Sequence, residues 1–280
     1  VRGHRILLFD SGMGGLTVAR AVRARLPEAE LVYAADTAAF PYGDWAEPLL
    51  VRRILSVMER LVEAVRPDAV VVACNTASTL ALQPLRARFD IPFVGTVPAI
   101  KPAAEQTRSG VIGVLATPGT VRRDYTRALI DTYAYHCTVV VHGSSGLARL
   151  AEAKLQGHPP ARDALRREIR SVYKRRGGGR TDVVVLGCTH YPLLLPELEA
   201  ASPWPVTFID PASAIARRVA QLLENGGAPG ASGADIAADT VIVTSPVLTA
   251  ETFEAYARFG FTAHRELAIA AAGRQWLDSQ

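Results

Sequence analysis

Two cysteines stand at matching places in this chain. Asp68-Ala-Val-Val-Val-Ala-Cys74-Asn75-Thr76 and Asp182-Val-Val-Val-Leu-Gly-Cys188-Thr189-His190 each open on Asp, run through a short apolar segment and reach a thiol six residues later. A continuous Val/Leu run bounded by turn signals reads as a buried parallel strand. Each thiol then sits at the carboxyl end of a strand, the edge where open α/β sheets hold ligands. Two thiols on opposite sides of one carbon suit one task. One takes a proton from one face, the other gives a proton to the opposite face, and the stereocentre inverts. Such a site needs one thiolate and one thiol. A free thiol has a pKa of roughly 8.5, so modest electropositive help makes a base near neutrality. The helix starts expected after Cys74 and Cys188 offer that help, and His190 and Asp10 can assist proton movement. No metal or organic cofactor is required.

The neighbouring turns supply the remaining candidates. Asp10-Ser11-Gly12-Met13-Gly14-Gly15 follows the apolar run Ile6 to Phe9. Its glycines fit neither the dinucleotide nor the Walker pattern; the plain alternative is a strand-to-helix turn with no ligand. Ser11, Asn75, Thr76 and Thr189 are suitable donors to a carboxylate, as are backbone amides. No positive-charge clamp stands out among these turns. In Phe40-Pro41-Tyr42-Gly43, Tyr42 offers a hydroxyl to a ligand or simply belongs to a surface turn. Val111 to Leu115 and the turn Ala116-Thr117-Pro118-Gly119 echo the first strand and its turn, with Thr117 in the place of Ser11. Cys137 begins a strand and reads as structural. Glu152, on a helical segment, reads alone as a surface charge.

Positioning these residues takes an α/β fold. The pattern predicts two similar α/β domains with mainly parallel sheets, facing each other across a central cleft with pseudo-two-fold symmetry. The boundaries fall at 1–96 plus 210–280 for the first and 97–209 for the second. Leu50, Ile54, Val57, Met58 and Leu61 mark a helix from about Pro48 to Val65 whose stripe reads as core. Pro84 is expected to disturb the helix after Cys74. Residues 225–235 are rich in Gly, Ala and Ser and read as a surface loop. The stretch after Phe259 carries no clear pattern.

Composition narrows the function. Hydrophobic residues make up 49% and charged residues 21%, ordinary for a globular chain with a sizeable core. The net charge of +4 comes from 31 basic against 27 acidic residues spread along the chain, with no block beyond Lys174-Arg175-Arg176. A nucleic-acid partner is therefore not expected. The apolar runs are too short to span a bilayer, and the opening strand and turn do not read as a secretory signal. Three cysteines without a CxxC fit the reducing cytoplasm and lack zinc-ligand spacing. None of the three lysines ends an apolar strand, which counts against pyridoxal phosphate.

Five motifs in order carry a resemblance: Phe-Asp10-Ser11-Gly-Met-Gly-Gly-Leu, Phe-Pro41-Tyr42-Gly43, Ala-Cys74-Asn75-Thr76-Ala-Ser, Gly-Cys188-Thr189-His190-Tyr-Pro-Leu and Phe208-Ile-Asp210-Pro211-Ala. Over nearly its whole length the chain resembles the glutamate racemases, within the aspartate/glutamate racemase superfamily. The resemblance implies cofactor-independent interconversion of L- and D-glutamate, supplying D-glutamate for peptidoglycan. It implies Cys74 acting on the D-enantiomer and Cys188 on the L-enantiomer. Substrate contacts carry over to Asp10, Ser11, Tyr42, Gly43, Asn75, Thr76, Thr189 and His190, with Thr117 added by its place in the second turn. Glu152 falls where the family often has a helix glutamate near the site. Gly95 to Pro102 and Leu150 to Leu155 resemble proteobacterial members, some of which are activated by UDP-N-acetylmuramoyl-L-alanine; relatives are often homodimers. Two other readings stay open at this point: an enzyme acting on aspartate or another acid or using a single thiol, and a two-domain binding protein with structural cysteines.

Overall fold

The computed structural model describes residues 3–226, 236–245 and 248–268. The strands, in chain order, are β1 Arg5–Asp10, β2 Glu30–Ala35, β3 Ala69–Val72, β4 Phe93–Gly95, β5 Val111–Ala116 and β6 Thr138–Gly143. They continue with β7 Arg175–Arg176, β8 Gly179–Arg180, β9 Val183–Gly187, β10 Thr207–Ile209, β11 Thr240–Val243 and β12 Ala263–Glu266. A six-stranded sheet has the order β12-β11-β2-β1-β3-β4, and a four-stranded sheet the order β10-β9-β5-β6. Every pairing in both is parallel. Reading β1 against β5, β2 against β6, β3 against β9 and β4 against β10, four strands of each sheet follow one shared order.

Burial on both faces explains the apolar runs. In β1, Ile6 and Leu8 belong to one core cluster and Leu7 and Phe9 to another, so alternate side chains enter two separate layers. Helices Leu16–Arg25 and Ala212–Gly226 pack together on the first layer. Helices Glu47–Val65 and Asn75–Arg88 cover the second. The four-stranded sheet repeats the scheme: Ile112 and Val114 face one cluster, Leu115 the other.

Register brings the chemistry together. Phe9 lies opposite Val72, so two residues further on Ser11 reaches Cys74. Ala116 lies opposite Gly187, so one residue further on Thr117 reaches Cys188. The equivalence of Ser11 and Thr117 in the two turns thus has a geometric counterpart.

Several local expectations change. The helix Asn75–Arg88 runs on through Pro84. The stretch after Cys188 is a 3-10 turn, Tyr191–Leu194, and the α-helix begins only at Leu195. The Tyr191 amide donates to the Cys188 carbonyl and the Leu193 amide to that of His190, the tighter three-residue spacing. Arg175 to Arg180 form a two-stranded antiparallel hairpin. Beyond Phe259, β12 pairs with β11; all four residues of Ala-His-Arg-Glu are exposed there, so no apolar alternation is required of them. Residues 227–235, most of the expected Gly/Ala/Ser loop, lie outside the described residues. Among the described residues no helix is long and apolar enough to cross a membrane.

Candidate active site

Both strand-end thiols line one pocket of about 290 Å³. From the first sheet come Ser11, the loop Phe40 to Gly43, Cys74, Asn75 and Thr76; from the second come Thr117, Ala148, Cys188, Thr189 and His190. Cys74 and Cys188 are each 6% exposed, enough for a ligand in the pocket to touch them. Ten of the expected site residues line this space. Asp10 and Glu152 do not; they stand one layer behind it. Phe40, Pro41 and Ala148 are wall residues whose apolar character gave no chemical signal in the sequence.

Cys74 caps the helix Asn75–Arg88, and its thiol is 4.0 Å from the Ser11 hydroxyl. Burial pushes this thiol well above its ordinary range, and the Asp10 carboxylate adds to the effect; the Ala77 amide and the Ser11 hydroxyl pull the other way without cancelling it. The helix start does ease ionisation of Cys74 through the Ala77 amide, but desolvation in the pocket outweighs it. Cys188 lacks a helix start altogether. Its electropositive neighbour is instead His190, with Nδ1 3.9 Å from Sγ.

His190 is held from behind. Its Nε2 lies 2.7 Å from Glu152 Oε1, which also accepts the Met13 amide at 2.6 Å. Burial works against a charged ring, but the contacts with Cys188 and Glu152 win and push the His190 pKa well up. The Glu152–His190–Cys188 relay lies within the second half, and the first turn fits against it because that turn has no side chains in the way. A Cβ at Gly12 would meet Glu152 Oε1 at 2.4 Å, and one at Gly14 would meet His190 Nδ1 at 2.4 Å. These two glycines are there for close approach rather than for a nucleotide.

Asp10 is wholly buried. It accepts the Thr189 hydroxyl at 2.8 Å, the Gly12 amide at 3.1 Å and the Ser11 hydroxyl at 3.3 Å. Burial raises its pKa, with His190, Thr189 and Gly12 offsetting part of the rise. Asp10 thus orients two pocket hydroxyls and their turn. Thr76, Thr117 and Thr120 form a hydroxyl cluster across the sheets, with separations of 3.1, 3.4 and 2.9 Å; Thr120 went unnoticed in the sequence. Ser78 donates to the Val72 carbonyl and accepts the Thr96 amide.

Asn75 is the outlier. It is 2% exposed, and neither its Nδ2 nor its Oδ1 has a hydrogen-bond partner. Buried amides are almost always satisfied, so an unpaired one on a pocket wall marks a place where a polar ligand belongs.

Tyr42 fills the pocket wall, and its hydroxyl proton is committed to Asp36 Oδ2 at 2.6 Å, so it cannot donate to a ligand as well. Asp36 also takes Arg53 Nε and Nη2 at 2.7 and 2.6 Å and the Thr244 hydroxyl at 2.6 Å. This buried knot anchors the Phe40–Asp44 loop. Arg53 lies on the helix stripe read as pure core, three residues after Leu50, which is why it escaped attention. Cys137 lies apart from the pocket, at the start of β6.

Residues 17–219 match the family model for Asp/Glu/Hydantoin racemases. A glutamate racemase of Agrobacterium fabrum is 53% identical over 219 residues, covering 78% of this chain and 80% of that one. The fold superposes on the Escherichia coli glutamate racemase, crystallised with L-glutamate and the activator UDP-MurNAc-Ala, with a TM-score of 0.88 and 43% identity over 95% of this chain and 98% of that one. A Thermus thermophilus glutamate racemase superposes with a TM-score of 0.73 and 30% identity, covering 96% and 98%. Two strand-end thiols, the sheets that present them and these likenesses agree: the chain belongs to the Asp/Glu/Hydantoin racemase family, among its glutamate racemases.

Proposed function

We propose that this protein interconverts L- and D-glutamate by a two-base proton transfer in which Cys74 and Cys188 are the acid/base pair. The observation that carries the reading is the pocket itself, where two thiols from equivalent strand ends meet beside an unpartnered buried amide. One thiolate removes the α-proton and the opposite thiol protonates the other face. Cys74 serves the D-enantiomer and Cys188 the L-enantiomer. A charged His190 stabilises the Cys188 thiolate and can return its proton. For Cys74 the compensating charge is the ammonium of glutamate, which offsets the desolvation that holds this thiol neutral. The substrate carboxylates are received by Asn75, the Ser11 hydroxyl and the threonine cluster. Asp10 and Glu152 act through Thr189, Ser11 and His190.

The test is direct. The circular dichroism of an L-glutamate solution should decay to zero with the protein as sole catalyst. Cys74→Ser and Cys188→Ser should each slow that decay by about 10²-fold or more. Decay with aspartate and none with glutamate would reassign the substrate, and no decay with either would remove the enzyme reading.

The Escherichia coli enzyme was crystallised with its activator UDP-MurNAc-Ala, and the Gly95 to Pro102 stretch motivates the same proposal here; equal turnover with and without that nucleotide would dismiss it. We also assign residues 1–96 with the described part of 210–280 to one domain and 97–209 to the other, in keeping with sheet membership. The cytoplasm, where peptidoglycan precursors are assembled, is the proposed location.

A further inference from the structure

The site is not the chain's only unusual surface. Between Arg162 and Arg180 there are eight basic and two acidic residues; the rest of the chain holds 23 basic and 25 acidic ones. All of the net positive charge therefore lies in this one segment. In sequence it looks diluted, because only Lys174-Arg175-Arg176 are contiguous. In space the helix Arg162–Ile169 and the β7–β8 hairpin gather it around Trp204.

A groove of about 1020 Å³ is walled by Tyr173 and Trp204 and rimmed by Arg166, Arg167 and Arg170. A second hollow of about 720 Å³, with Glu199 on its wall, shares Pro203 and Trp204 with it. Arg175 and Arg180 lie over the Trp204 ring, 5.3 and 5.4 Å from its centre. Among the described residues only Arg166 of this group has an acidic partner, the exposed Asp163 at 3.8 Å. Arg167, Arg170, Arg175, Arg176 and Arg180 are all exposed. Clustered, unneutralised guanidinium groups repel one another and attract an anion with several charges.

We propose that this face binds single-stranded nucleic acid. Three arginines rim the groove and two more lie over the tryptophan at its wall; such a cluster suits a phosphate backbone, and guanidinium planes on a tryptophan offer stacking surfaces to bases. A membrane surface fits less well. The indole N–H of Trp204 donates to the Thr181 carbonyl at 2.7 Å and the ring packs edge-on against Tyr173, so this aromatic is tied into the fold instead of projecting. The surface is recessed, whereas insertion into lipid calls for a protruding apolar group.

The test is fluorescence anisotropy of a labelled 20-nucleotide single strand titrated with the full chain. Binding should be clear at 50 mM salt. With about four phosphates neutralised it should weaken roughly 50-fold by 200 mM. The variant R175E/R176E/R180E should bind at least about tenfold more weakly while keeping its far-UV spectrum and its turnover of glutamate. Should that variant misfold, R167E/R170E on the helix side of the groove should give the same loss. No anisotropy rise at 50 mM salt would overturn the proposal. So would undiminished binding by folded charge-reversed variants, or tighter binding to a duplex of equal length or to phosphatidylglycerol vesicles.

Discussion

His190 shows how much one side chain's neighbours decide. Burial alone would keep its ring neutral, yet Cys188 on one side and Glu152 on the other hold the proton in place. Its pKa in the folded protein is raised, so the protonated ring stabilises the fold. That contribution is complete below the unfolded value of about 6.5 and is lost as pH rises through the folded value. Removing the Glu152 charge should lower the folded pKa. Glu152→Gln is therefore expected to move the high-pH limb of the kcat profile to lower pH and to shrink the stability gained on acidification. An unmoved limb would show that Glu152 does not act through this ring. The sequence displayed His190 plainly, two residues after a strand-end thiol. It gave no reason to join Glu152 to it, because the two are 38 residues apart and meet only when the helix Leu147–Leu155 packs against the turn Tyr191–Leu194.

The elements, rather than single residues, place the loop that closes the pocket. Asp36 directly follows β2, close to where Asp10 ends β1, but its side chain binds no pocket residue other than Tyr42. Its other partners are Arg53 from a neighbouring helix and Thr244 after β11. Two substitutions separate anchoring from ligand binding. Tyr42→Phe should cost about 1.5–3 kcal/mol of stability, the range for a bond to a charged group, and leave KM for glutamate unchanged. Arg53→Met should cost roughly 3–5 kcal/mol, because it strips a buried carboxylate of its countercharge. Urea unfolding measures both, and a raised KM in Tyr42→Phe with intact stability would return its hydroxyl to the ligand. At this scale the sequence was most legible where strands are buried on both faces, since Val-rich runs ending in Cys74 and Cys188 leave little choice. It was least legible where a polar residue shares an apolar stripe, as Arg53 does. The turn after Cys188 was also hidden, because Thr189 and His190 are held by Asp10 and Glu152 outside any helix.

At the scale of the molecule, two sheets with one strand order present equivalent turns to a common space. The Met13 amide on Glu152, the Thr189 hydroxyl on Asp10 and the Thr76–Thr117 contact tie the halves together at that space. The approximate two-fold suits the reaction, because enantiomers ask for the same chemistry from opposite directions. It also constrains any experiment. L- and D-glutamate have equal free energy in solution, so kcat/KM must be equal in the two directions for the protein and for every variant. The difference between the two thiols has to be sought in isotope exchange. The decisive measurement is early-time NMR of L-glutamate turned over in heavy water. With one thiol on each face, the first D-glutamate formed should carry deuterium at the α-carbon while the remaining L-glutamate stays protiated. D-glutamate that retains the original α-proton would mean a single base serving both faces, and would contradict the account.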